Sequence, residues 1–373
     1  MADEVGVAIL GTGLAGQMHA LAARMLGARL VGVLGSTPAR SDTAAAALGA
    51  EHGFADAAEL IGHPAVEVVH VCTPNALHVA HVEMALARGK HVVCEKPLAT
   101  TAGDAARLSA LASESGLIAA VAFAYRYQSL AQAARDKVLA GDLGPVRLVH
   151  GSYLQDWLLY QDDTDWRADS EIGGPSRAFA DIGSHWCDLA EWVTGQRITD
   201  LAAVTSTVYP TRRAPAASAG DGAPPEFVPV QNEDIACLVF RATGGIVGTL
   251  TVSQVSPGRK NRLWLEVDAA EASVVFDQEN TEWMWLGRRS AAEMIARGNG
   301  SGPGPQFADS SFLPPGHARG FVECFTSLFS DVYRSLRHGS GRAFPTFDDG
   351  ARSAVLTEAV LRSASEREWV HLP

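Results

Sequence analysis

A lysine that follows a short apolar strand is the first candidate for chemistry in this chain. Lys96 stands in the run Cys94–Pro97, directly after the predicted strand His91–Cys94. Ligands of open α/β sheets bind at the carboxyl ends of the parallel strands, so we expect Lys96 to face cofactor and substrate. Burying an ammonium group without such a task is costly. The alternative is a lysine whose amino group only reaches solvent at the strand end.

A carboxylate and an imidazole four residues apart form the second candidate. Asp181 and His185 would share one face of a helix. A carboxylate beside an imidazole fixes its tautomer and raises its basicity, which equips the pair for general acid–base catalysis. The alternative is a helix N-terminus with Asp181 as its cap and His185 as a core residue.

A glycine-rich loop near the N-terminus predicts a dinucleotide site. The run Gly11-Thr12-Gly13-Leu14-Ala15-Gly16 follows the predicted strand Val5–Leu10 and opens the predicted helix Gln17–Met25. This context makes the motif specific. Its glycines permit a tight turn, close approach of a pyrophosphate and close packing of helix on strand, and the helix N-terminus offers N–H groups to the phosphates.

The end of the second strand lacks the acidic residue that usually binds the ribose 2′-hydroxyl. Leu34 is followed by Gly35 and then by Ser36, Thr37 and, three residues on, Arg40. No carboxylate repels a 2′-phosphate there, and Arg40 is able to pair with one. The sequence therefore leans toward NADP, with NAD bound through hydroxyl groups as the alternative.

The elements that position these residues follow from the apolar periodicity. Residues 1–124 alternate strands and helices, which predicts a Rossmann dinucleotide-binding domain with a parallel sheet. Residues 125–345 carry longer alternating segments, which predict an α+β domain with a large, mostly antiparallel, open-faced sheet and a hairpin turn at Gly244-Gly245. We place a helix at Arg319–Leu336 in this second domain and a surface loop at Thr211–Pro229. Residues 346–373 form a C-terminal helix. The fold class is α/β.

Composition is that of a soluble enzyme. The chain has 373 residues, a net charge of −12, 47% hydrophobic and 19% charged residues. The negative charge disfavours nucleic acid and acidic membranes as partners, and neither a membrane span nor a signal peptide is evident. Five scattered cysteines indicate reduced thiols and a cytoplasmic location.

Four stretches together resemble the Gfo/Idh/MocA family of glucose–fructose oxidoreductases, inositol dehydrogenases and related sugar and polyol dehydrogenases. They are Gly11–Gly16, Cys72–His78, Glu95–Leu98 and Asp181–His185, and their order and separations also fit. The resemblance implies that Lys96, Asp181 and His185 are catalytic. It also implies that NAD(P)(H) is the cofactor and that the C-terminal helix returns toward the first domain.

Further cofactor contacts are expected from the loops that follow the fourth and fifth strands, at Thr73, Pro74, Asn75, His78, Glu95 and Lys96. His78 has the alternative role of packing or capping its own helix. It shares a helix face with His81, but no third ligand has suitable spacing, so no metal site is predicted.

Substrate contacts are expected from Lys96, Asp181 and His185 together with Arg126, Tyr153, Gln155, Trp166, Arg167 and His317. The stretches Tyr153–Trp157 and Thr164–Arg167 are similar to a subgroup that acts on pyranose sugars. For Arg126 the alternative is a solvent-exposed arginine, and His317 is the weakest of these candidates. Ser176–Phe179 departs from the glycine-rich segment usual in the family, which bears on the identity of the substrate.

The expected reaction moves a hydride from a secondary ring alcohol of a pyranose sugar, sugar derivative or cyclic polyol to nicotinamide C4. His185 takes the hydroxyl proton, Asp181 orients His185, and Lys96 stabilises the developing charge on oxygen. Two alternatives are an NAD-dependent glycosidase that oxidises transiently and a non-catalytic dinucleotide sensor.

The second sheet also predicts assembly. Val247 and Leu250 lie on opposite faces of one strand, so both faces carry apolar residues, and a bare apolar face is an interaction surface. We expect a homodimer or homotetramer joined through this sheet, as the resemblance also implies. In the alternative, the loop Thr211–Pro229 covers the face and the protein is a monomer.

Overall fold

The structure, a computed structural model, describes residues 4–214, 226–298, 320–339 and 343–373. The chain divides into two compact units. The first consists of Met1–Tyr127 and Gly320–Ala354, and the second of Gln128–Arg319 and Val355–Pro373. Each is described by itself.

The first unit contains a six-stranded, wholly parallel sheet in the order β3-β2-β1-β4-β5-β6. Its strands are β1 Gly6–Leu10, β2 Arg29–Leu34, β3 His52–Phe54, β4 Val68–Val71, β5 His91–Cys94 and β6 Ala119–Val121. The connecting helices are α1 Leu14–Met25, α2 Pro38–Leu48, α3 Ala57–Gly62, α4 His78–Ala87 and α5 Ala102–Ser115. The strand order reverses between β1 and β4, and ligands of this fold bind at that point. The predicted Rossmann domain is confirmed.

The second unit contains a nine-stranded sheet in the order β16-β15-β14-β13-β7-β12-β11-β8-β17. Only β7 and β12 pair in parallel, so the prediction of a mostly antiparallel sheet is confirmed. Its elements are α6 Ser129–Leu139, β7 Val146–Leu154, α7 Ser170–Gly173, α8 Ser184–Thr194, β8 Ile198–Ser206, β9 Thr211–Arg213, β10 Phe227–Pro229, β11 Ile235–Ala242, β12 Ile246–Ser253, β13 Arg262–Ala269, β14 Ala272–Asp277, β15 Trp283–Arg288, β16 Ala292–Ala296 and β17 Val370–His371.

Two features of this unit bear on local predictions. Gly244 and Gly245 have φ angles of 74° and 78° at the turn between β11 and β12, where left-handed backbone favours glycine. The predicted loop Thr211–Pro229 is not wholly irregular, because β9 and β10 at its two ends form an antiparallel ribbon. Its middle, residues 215–225, lies outside the described residues.

The last two helices depart from the predicted domain boundaries. Helix α9, Phe321–His338, belongs to the first unit rather than to the expected domain 125–345, and α10, Phe347–Glu366, is divided between the units. Phe325, Leu328 and Phe329 of α9 are buried in the same core as strand β1. The apolar face of a helix shows that it packs somewhere, but the sequence does not show against which sheet.

In the described part of the chain, no helix combines the length and the apolar character that crossing a membrane requires.

Candidate active site

The glycine loop after β1 is shaped by two close backbone approaches. Gly11 has a φ of +97°, and a Cβ atom there would lie 2.3 Å from the carbonyl oxygen of Cys72. A Cβ on Gly16 would lie 1.9 Å from the carbonyl oxygen of Gly11. A Cβ on Gly13, in contrast, would meet no atom within 4 Å. Gly11 and Gly16 are therefore required by the protein's own packing, whereas Gly13 leaves its backbone open to a ligand.

Helix α1 begins directly after this loop with its first N–H groups uncapped by a side chain. Its N-cap is Gly13, and its first turn has no acidic residue. The neighbouring Leu14 is 73% exposed. A helix start of this kind attracts phosphate groups, so the loop from Thr12 to Ala15 fits a dinucleotide pyrophosphate.

The loop after β4 lies beside the glycine loop. The backbone N–H of Cys72 donates to the carbonyl of Leu10 at 2.7 Å, which brings Thr73, Pro74 and Asn75 to the same sheet edge. Asn75 is 8% exposed. This is the position from which side chains contact a dinucleotide in this fold.

His78 connects this loop to the segment after β5. Its Nδ1 lies 2.8 Å from the carbonyl oxygen of Pro97, and its Nε2 lies 2.8 Å from that of Thr73. Burial lowers the pKa of His78, although both carbonyl contacts favour the protonated ring. Because both ring nitrogens contact backbone carbonyls, the geometry supports the packing role for His78 over direct contact with a cofactor.

Lys96 follows β5 at the same edge and is half-buried. Its backbone N–H donates to Oε2 of Glu95 at 3.1 Å, and Glu95 is buried. The sheet pairing places β5 next to β4, so Lys96 and the loop after β4 lie at adjacent strand ends.

The end of β2 carries the predicted hydroxyl and guanidinium groups in one place. Thr37 caps helix α2 by accepting from the backbone N–H of Arg40 at 3.2 Å, and Nη1 of Arg40 donates to Oγ of Ser36 at 3.0 Å. The first turn of α2 has no acidic residue. This corner is positively polarised, as an anionic ligand requires.

Arg126, a predicted substrate residue, has a different contact. Its Nη2 donates to Oδ1 of Asp349 at 2.8 Å, and both side chains are largely buried. The alternative of a solvent-exposed arginine therefore does not describe it.

In the second unit, Asp181 and His185 lie on consecutive helical segments of different geometry. Asp181 is in a π-helical turn, Phe179–Gly183, and His185 is in the first turn of α8. The predicted regular helix through both residues is thus corrected at Asp181. The N-cap of α8 is Gly183, so the capping alternative for Asp181 is not what the structure shows. His185 is 8% exposed.

The side chains of Gln254 and Arg167 contact the Asp181 carboxylate. Nε2 of Gln254, just after β12, donates to Oδ2 at 2.8 Å, and Nε of Arg167 lies 3.4 Å from Oδ1. Gln254 is fully buried. Gln254 was not predicted from the sequence, because it lies 73 residues from Asp181 along the chain.

Arg167 also lies over the indole ring of Trp166, with Cζ 4.3 Å from the ring centroid. Its Nη1 is 3.1 Å from Oδ1 of Asp165. The predicted pair Trp166 and Arg167 is therefore held as a cation–π unit beside Asp181.

Tyr153 and Gln155 converge on one amide. The Tyr153 hydroxyl donates to Oδ1 of Asn261 at 2.6 Å, and Nε2 of Gln155 donates to the same oxygen at 2.8 Å. The Nε1 of Trp157 donates to Oε1 of Gln155 at 2.7 Å. Because Tyr153 is only 1% exposed, its position favours support of the Gln155 side chain.

A cluster of buried charges, the ion cluster, supports this part of the second unit. It consists of Arg177, Arg212, Glu233 and Asp234, all at most 3% exposed. Asp234 accepts from both guanidinium groups, at 2.6 Å from Nη2 of Arg212. Arg177 lies in the segment Ser176–Phe179, which the sequence marks only as a departure from the family pattern. Arg212, Glu233 and Asp234 were not predicted.

The ion cluster holds two segments that lead to predicted site residues. Oε1 of Glu233 accepts from the backbone N–H groups of Arg177 and Phe179, at 3.1 and 2.9 Å, where the turn bearing Asp181 begins. Arg212 donates to the carbonyls of Leu158 and Tyr160 at 2.9 and 2.8 Å, in the segment that leads to Trp166.

One group of side chains in the described part of the chain has metal-like spacing: His150, Glu266 and Asp268, whose ligand atoms lie within 4.8 Å of one another. It lies on β7 and β13, on a sheet face apart from Asp181. His317 lies outside the described residues.

Comparisons with known proteins agree with this architecture. The profile of an oxidoreductase family with an NAD-binding Rossmann fold, GFO/IDH/MocA, matches residues 5–123, and the GFO/IDH/MocA C-terminal domain profile matches residues 131–275. The levoglucosan dehydrogenase of Pseudarthrobacter phenanthrenivorans is 29% identical over 392 residues, covering 100% of this chain and 99% of the relative.

Solved structures give the same result. An oxidoreductase domain protein from Kribbella flavida is 30% identical with a TM-score of 0.91, covering 100% of both chains. A levoglucosan dehydrogenase in complex with NADH and L-sorbose is 27% identical with a TM-score of 0.90, covering 100% of this chain and 99% of that one. The predicted resemblance to the Gfo/Idh/MocA family is confirmed.

Proposed function

Because the chain belongs to the GFO/IDH/MocA family of oxidoreductases, we propose that it is an NAD(P)-dependent dehydrogenase of a pyranose sugar, sugar derivative or cyclic polyol. The observation that carries the proposal is the half-buried Lys96 at the strand edge that also bears the open glycine loop. The full-length likeness to levoglucosan dehydrogenase supports a sugar as substrate.

The bound dinucleotide supplies the acceptor for a hydride from the ring carbon. His185 takes the hydroxyl proton, and Asp181, held by Gln254 and Arg167, orients His185. Lys96 donates to the same oxygen and stabilises its developing negative charge. Trp166 and Arg167 bind the sugar ring, with Gln155 and Arg126 as further contacts.

Replacing the reacting groups tests these roles. Lys96→Ala and His185→Ala should each lower turnover by about two to four decades, the usual scale for a positioned oxyanion or proton-transfer group. The exposed residues Lys260 and His371 provide matched controls, because Lys260→Ala and His371→Ala remove the same side-chain types elsewhere. Near wild-type turnover in either test variant would exclude that residue from the chemistry.

The glycine loop allows a separate test of dinucleotide binding. Gly13→Ala adds a methyl group in open space, so the fold should persist while NAD(P)H affinity falls. Gly16→Ala places its methyl against the carbonyl of Gly11 and should lower thermal stability as well. Unchanged NAD(P)H affinity in a folded Gly13→Ala variant would contradict the assignment of this loop.

We further propose that the protein prefers NADP to NAD. The arrangement of Ser36, Thr37 and Arg40 after β2 and the lack of a carboxylate at the end of that strand support this preference. Arg40→Ala should weaken NADP by about 1–3 kcal/mol, the scale of a hydrogen bond to a charged group, and leave NAD little changed. A native preference for NAD, or equal weakening of both, would reverse this assignment. NADH in the levoglucosan dehydrogenase complex makes that comparison necessary.

The two alternatives have less support. The relatives reported above include dehydrogenases, which does not favour a glycosidase or a non-catalytic sensor. A screen of sugars, anhydrosugars and inositols by NAD(P)H absorbance separates the three, because a glycosidase releases a free sugar without net cofactor turnover and a sensor turns over nothing.

For assembly, we propose a homodimer or homotetramer joined through the open face of the nine-stranded sheet. Exposed apolar side chains on that face include Val204, Val239, Val247 and Trp283, which are 67%, 45%, 51% and 47% exposed. Leu250 on the opposite face is 1% exposed. Sedimentation at micromolar concentration should give a multiple of the 39.3 kDa chain mass, and a single species at that mass would refute the oligomer.

A cytoplasmic location completes the proposal. No disulfide joins any of the five cysteines, all of which lie in the described residues, as expected in a reducing compartment. Cell fractionation should recover the protein with the cytoplasmic fraction, and recovery in another fraction would contradict it.

A further inference from the structure

A continuous row of polar side chains, the histidine chain, is buried in the first unit behind Lys96. The Tyr333 hydroxyl lies 2.9 Å from Nε2 of His70, and Nδ1 of His70 lies 3.0 Å from Nδ1 of His19. Nε2 of His19 lies 3.2 Å from Oε1 of Glu95. Both histidines are 0% exposed. The proposed reaction uses none of His19, His70 and Tyr333.

The hydrogen bonds of the histidine chain can all run in one direction, toward Glu95, when both histidines and Tyr333 are neutral and Glu95 is ionised. Burial lowers the pKa of His70 well below its ordinary value, and burial raises the pKa of Tyr333. Ionised Glu95 accepts the Nε2–H of His19, which leaves Nδ1 of a neutral His19 as an acceptor. His70 then donates from Nδ1, and Tyr333 donates to Nε2 of His70.

Aromatic rings surround both histidines. The His19 ring centroid lies 5.0 Å from that of Phe325 and 4.8 Å from that of Phe329, and His70 lies 4.6 Å from Phe329. In such surroundings a satisfied hydrogen bond is strong and an unsatisfied group is costly. The hydrogen bonds of the histidine chain therefore fix the orientation of each of its side chains.

The histidine chain ends at the segment that carries Lys96. Glu95 accepts from His19 through Oε1 and from the backbone N–H of Lys96 through Oε2, at 3.1 Å. We propose that His19 is a positioning residue that, through Glu95, fixes the peptide carrying Lys96, while His70 and Tyr333 fix His19. The inference rests on the proposed function, in which Lys96 acts on the substrate oxygen.

Other titratable groups also face Glu95, and they bear on its charge. Burial raises the pKa of the Cys72 and Cys94 thiols well above their ordinary value, so both are neutral. Burial lowers the pKa of His78. These neighbours are therefore compatible with an ionised Glu95 that needs the His19 donor.

The tautomers give a test that requires no turnover. In ¹⁵N-histidine-labelled protein, we expect His19 protonated on Nε2 and His70 protonated on Nδ1, with signals assigned by the loss of each in His19→Gln and His70→Phe. His19 protonated only on Nδ1 would mean that it donates to His70 and offers nothing to Glu95. That result would overturn the proposal.

Kinetics test the consequence for Lys96. His19→Phe keeps a ring and removes both hydrogen bonds, so kcat should fall by about ten- to a hundred-fold, the scale of a misplaced catalytic group, with the sugar KM much less affected. Because Glu95 loses the donor that favours its ionised form, we also expect kcat of this variant to fall at acidic pH, where Glu95 takes up a proton. His19→Gln retains an N–H group near the Nε2 position and should recover most of kcat.

A packing control separates positioning from general loosening. Phe329→Leu disturbs the same aromatic surroundings without removing a hydrogen bond, so it should lower stability but leave the pH profile unchanged. The positioning role of His19 would be overturned if His19→Phe and Phe329→Leu had the same kcat and the same pH profile. It would also be overturned if His19→Gln did not recover kcat. Neither result would affect the proposed function. Wild-type turnover in Lys96→Ala would instead overturn the proposed function, and with it the role of Lys96.

Discussion

The two units bury polar side chains by different physical means. In the first, the histidine chain runs from Tyr333 through the neutral ring of His70 and then His19 to one carboxylate. In the second, the ion cluster places two guanidinium groups and two carboxylates in the interior. Burying charges is expensive unless every one is paired, whereas neutral groups need only a hydrogen bond.

This difference matches what each network holds. The histidine chain ends at a single short segment, Glu95–Lys96, which already follows a central strand. The ion cluster holds long connections, including the segment from Leu158 to Tyr160 and the turn before Asp181, by donating to carbonyls and accepting from backbone N–H groups. Charge-assisted hydrogen bonds are the stronger kind, which suits connections that no sheet supports.

Breaking the ion cluster should have the largest effect. Asp234→Ala leaves Arg177 and Arg212 buried without their shared carboxylate, and such a loss costs about 3–5 kcal/mol of unfolding free energy. Denaturant unfolding measures it. The control is Asp200→Ala, which removes a carboxylate paired with the exposed His371 and should change stability little. A loss in Asp234→Ala below about 1 kcal/mol, as at surface pairs, would contradict the comparison.

Breaking the histidine chain should cost less. His70→Phe leaves the Tyr333 hydroxyl and Nδ1 of His19 without their partner, and an unsatisfied buried polar group costs about 1–3 kcal/mol. The same unfolding measurement applies. Tyr333→Phe, which removes only the terminal hydroxyl, serves as the graded control and should cost less than His70→Phe. An effect of His70→Phe as large as that of Asp234→Ala would remove the distinction between the networks.

What the sequence predicts well is local along the chain. The glycine loop lies within six residues, and the close approach of Gly16 to the carbonyl of Gly11 is a property of that run. Most strands of the two sheets are likewise visible as alternating or continuous apolar segments, but β3, β16 and β17 were not predicted. Lys96 could be placed at a strand end because its strand and the residues after it are contiguous.

What the sequence did not predict depends on residues far apart. Gln254 and Asp181 are 73 positions apart, His19 and Glu95 are 76, and Tyr333 and His70 are 263. Each of these residues alone resembles an ordinary polar residue in a helix or at a strand end. Only the packing of elements brings them together, which is also why α9 was assigned to the second domain.

The pH dependence of stability offers a finer comparison, and its sign should differ between the units. In the first unit, Glu67 accepts from both Nη atoms of Arg337, at 2.7 and 2.8 Å, and from the backbone of Gly6. The Arg337 hydrogen bonds, and after them that backbone N–H, hold the pKa of Glu67 below its ordinary value. Its contribution is thus present above the unfolded pKa and is lost as pH falls through the folded pKa.

Glu67→Gln should therefore remove part of the acid destabilisation. Because the pair is partly exposed, we expect less than about 1 kcal/mol at neutral pH, with the difference from wild type shrinking as pH falls below about 4. Unfolding free energies over that range measure it. Glu4, which also lies near the N-terminus of β1, is the control site, since Glu4→Gln has no such pair to break. A constant difference between Glu67→Gln and wild type across this range would contradict the prediction.

In the second unit, Glu233 should give the opposite sign and the smallest effect. Burial raises the pKa of Glu233 above its ordinary value, although hydrogen bonds from Phe179 N–H and the Ser176 hydroxyl oppose the shift. The folded state then binds the proton more tightly than the unfolded chain, so this contribution is full below the unfolded pKa and is lost as pH rises through the folded pKa.

Glu233→Gln keeps an oxygen for the same donors and cannot titrate. Its unfolding free energy relative to wild type should therefore rise as pH increases from about 4 toward neutrality, measured by denaturant unfolding at each pH. A relative stability that falls over this range would show that the ion cluster favours the ionised carboxylate, and the two units would then share one sign.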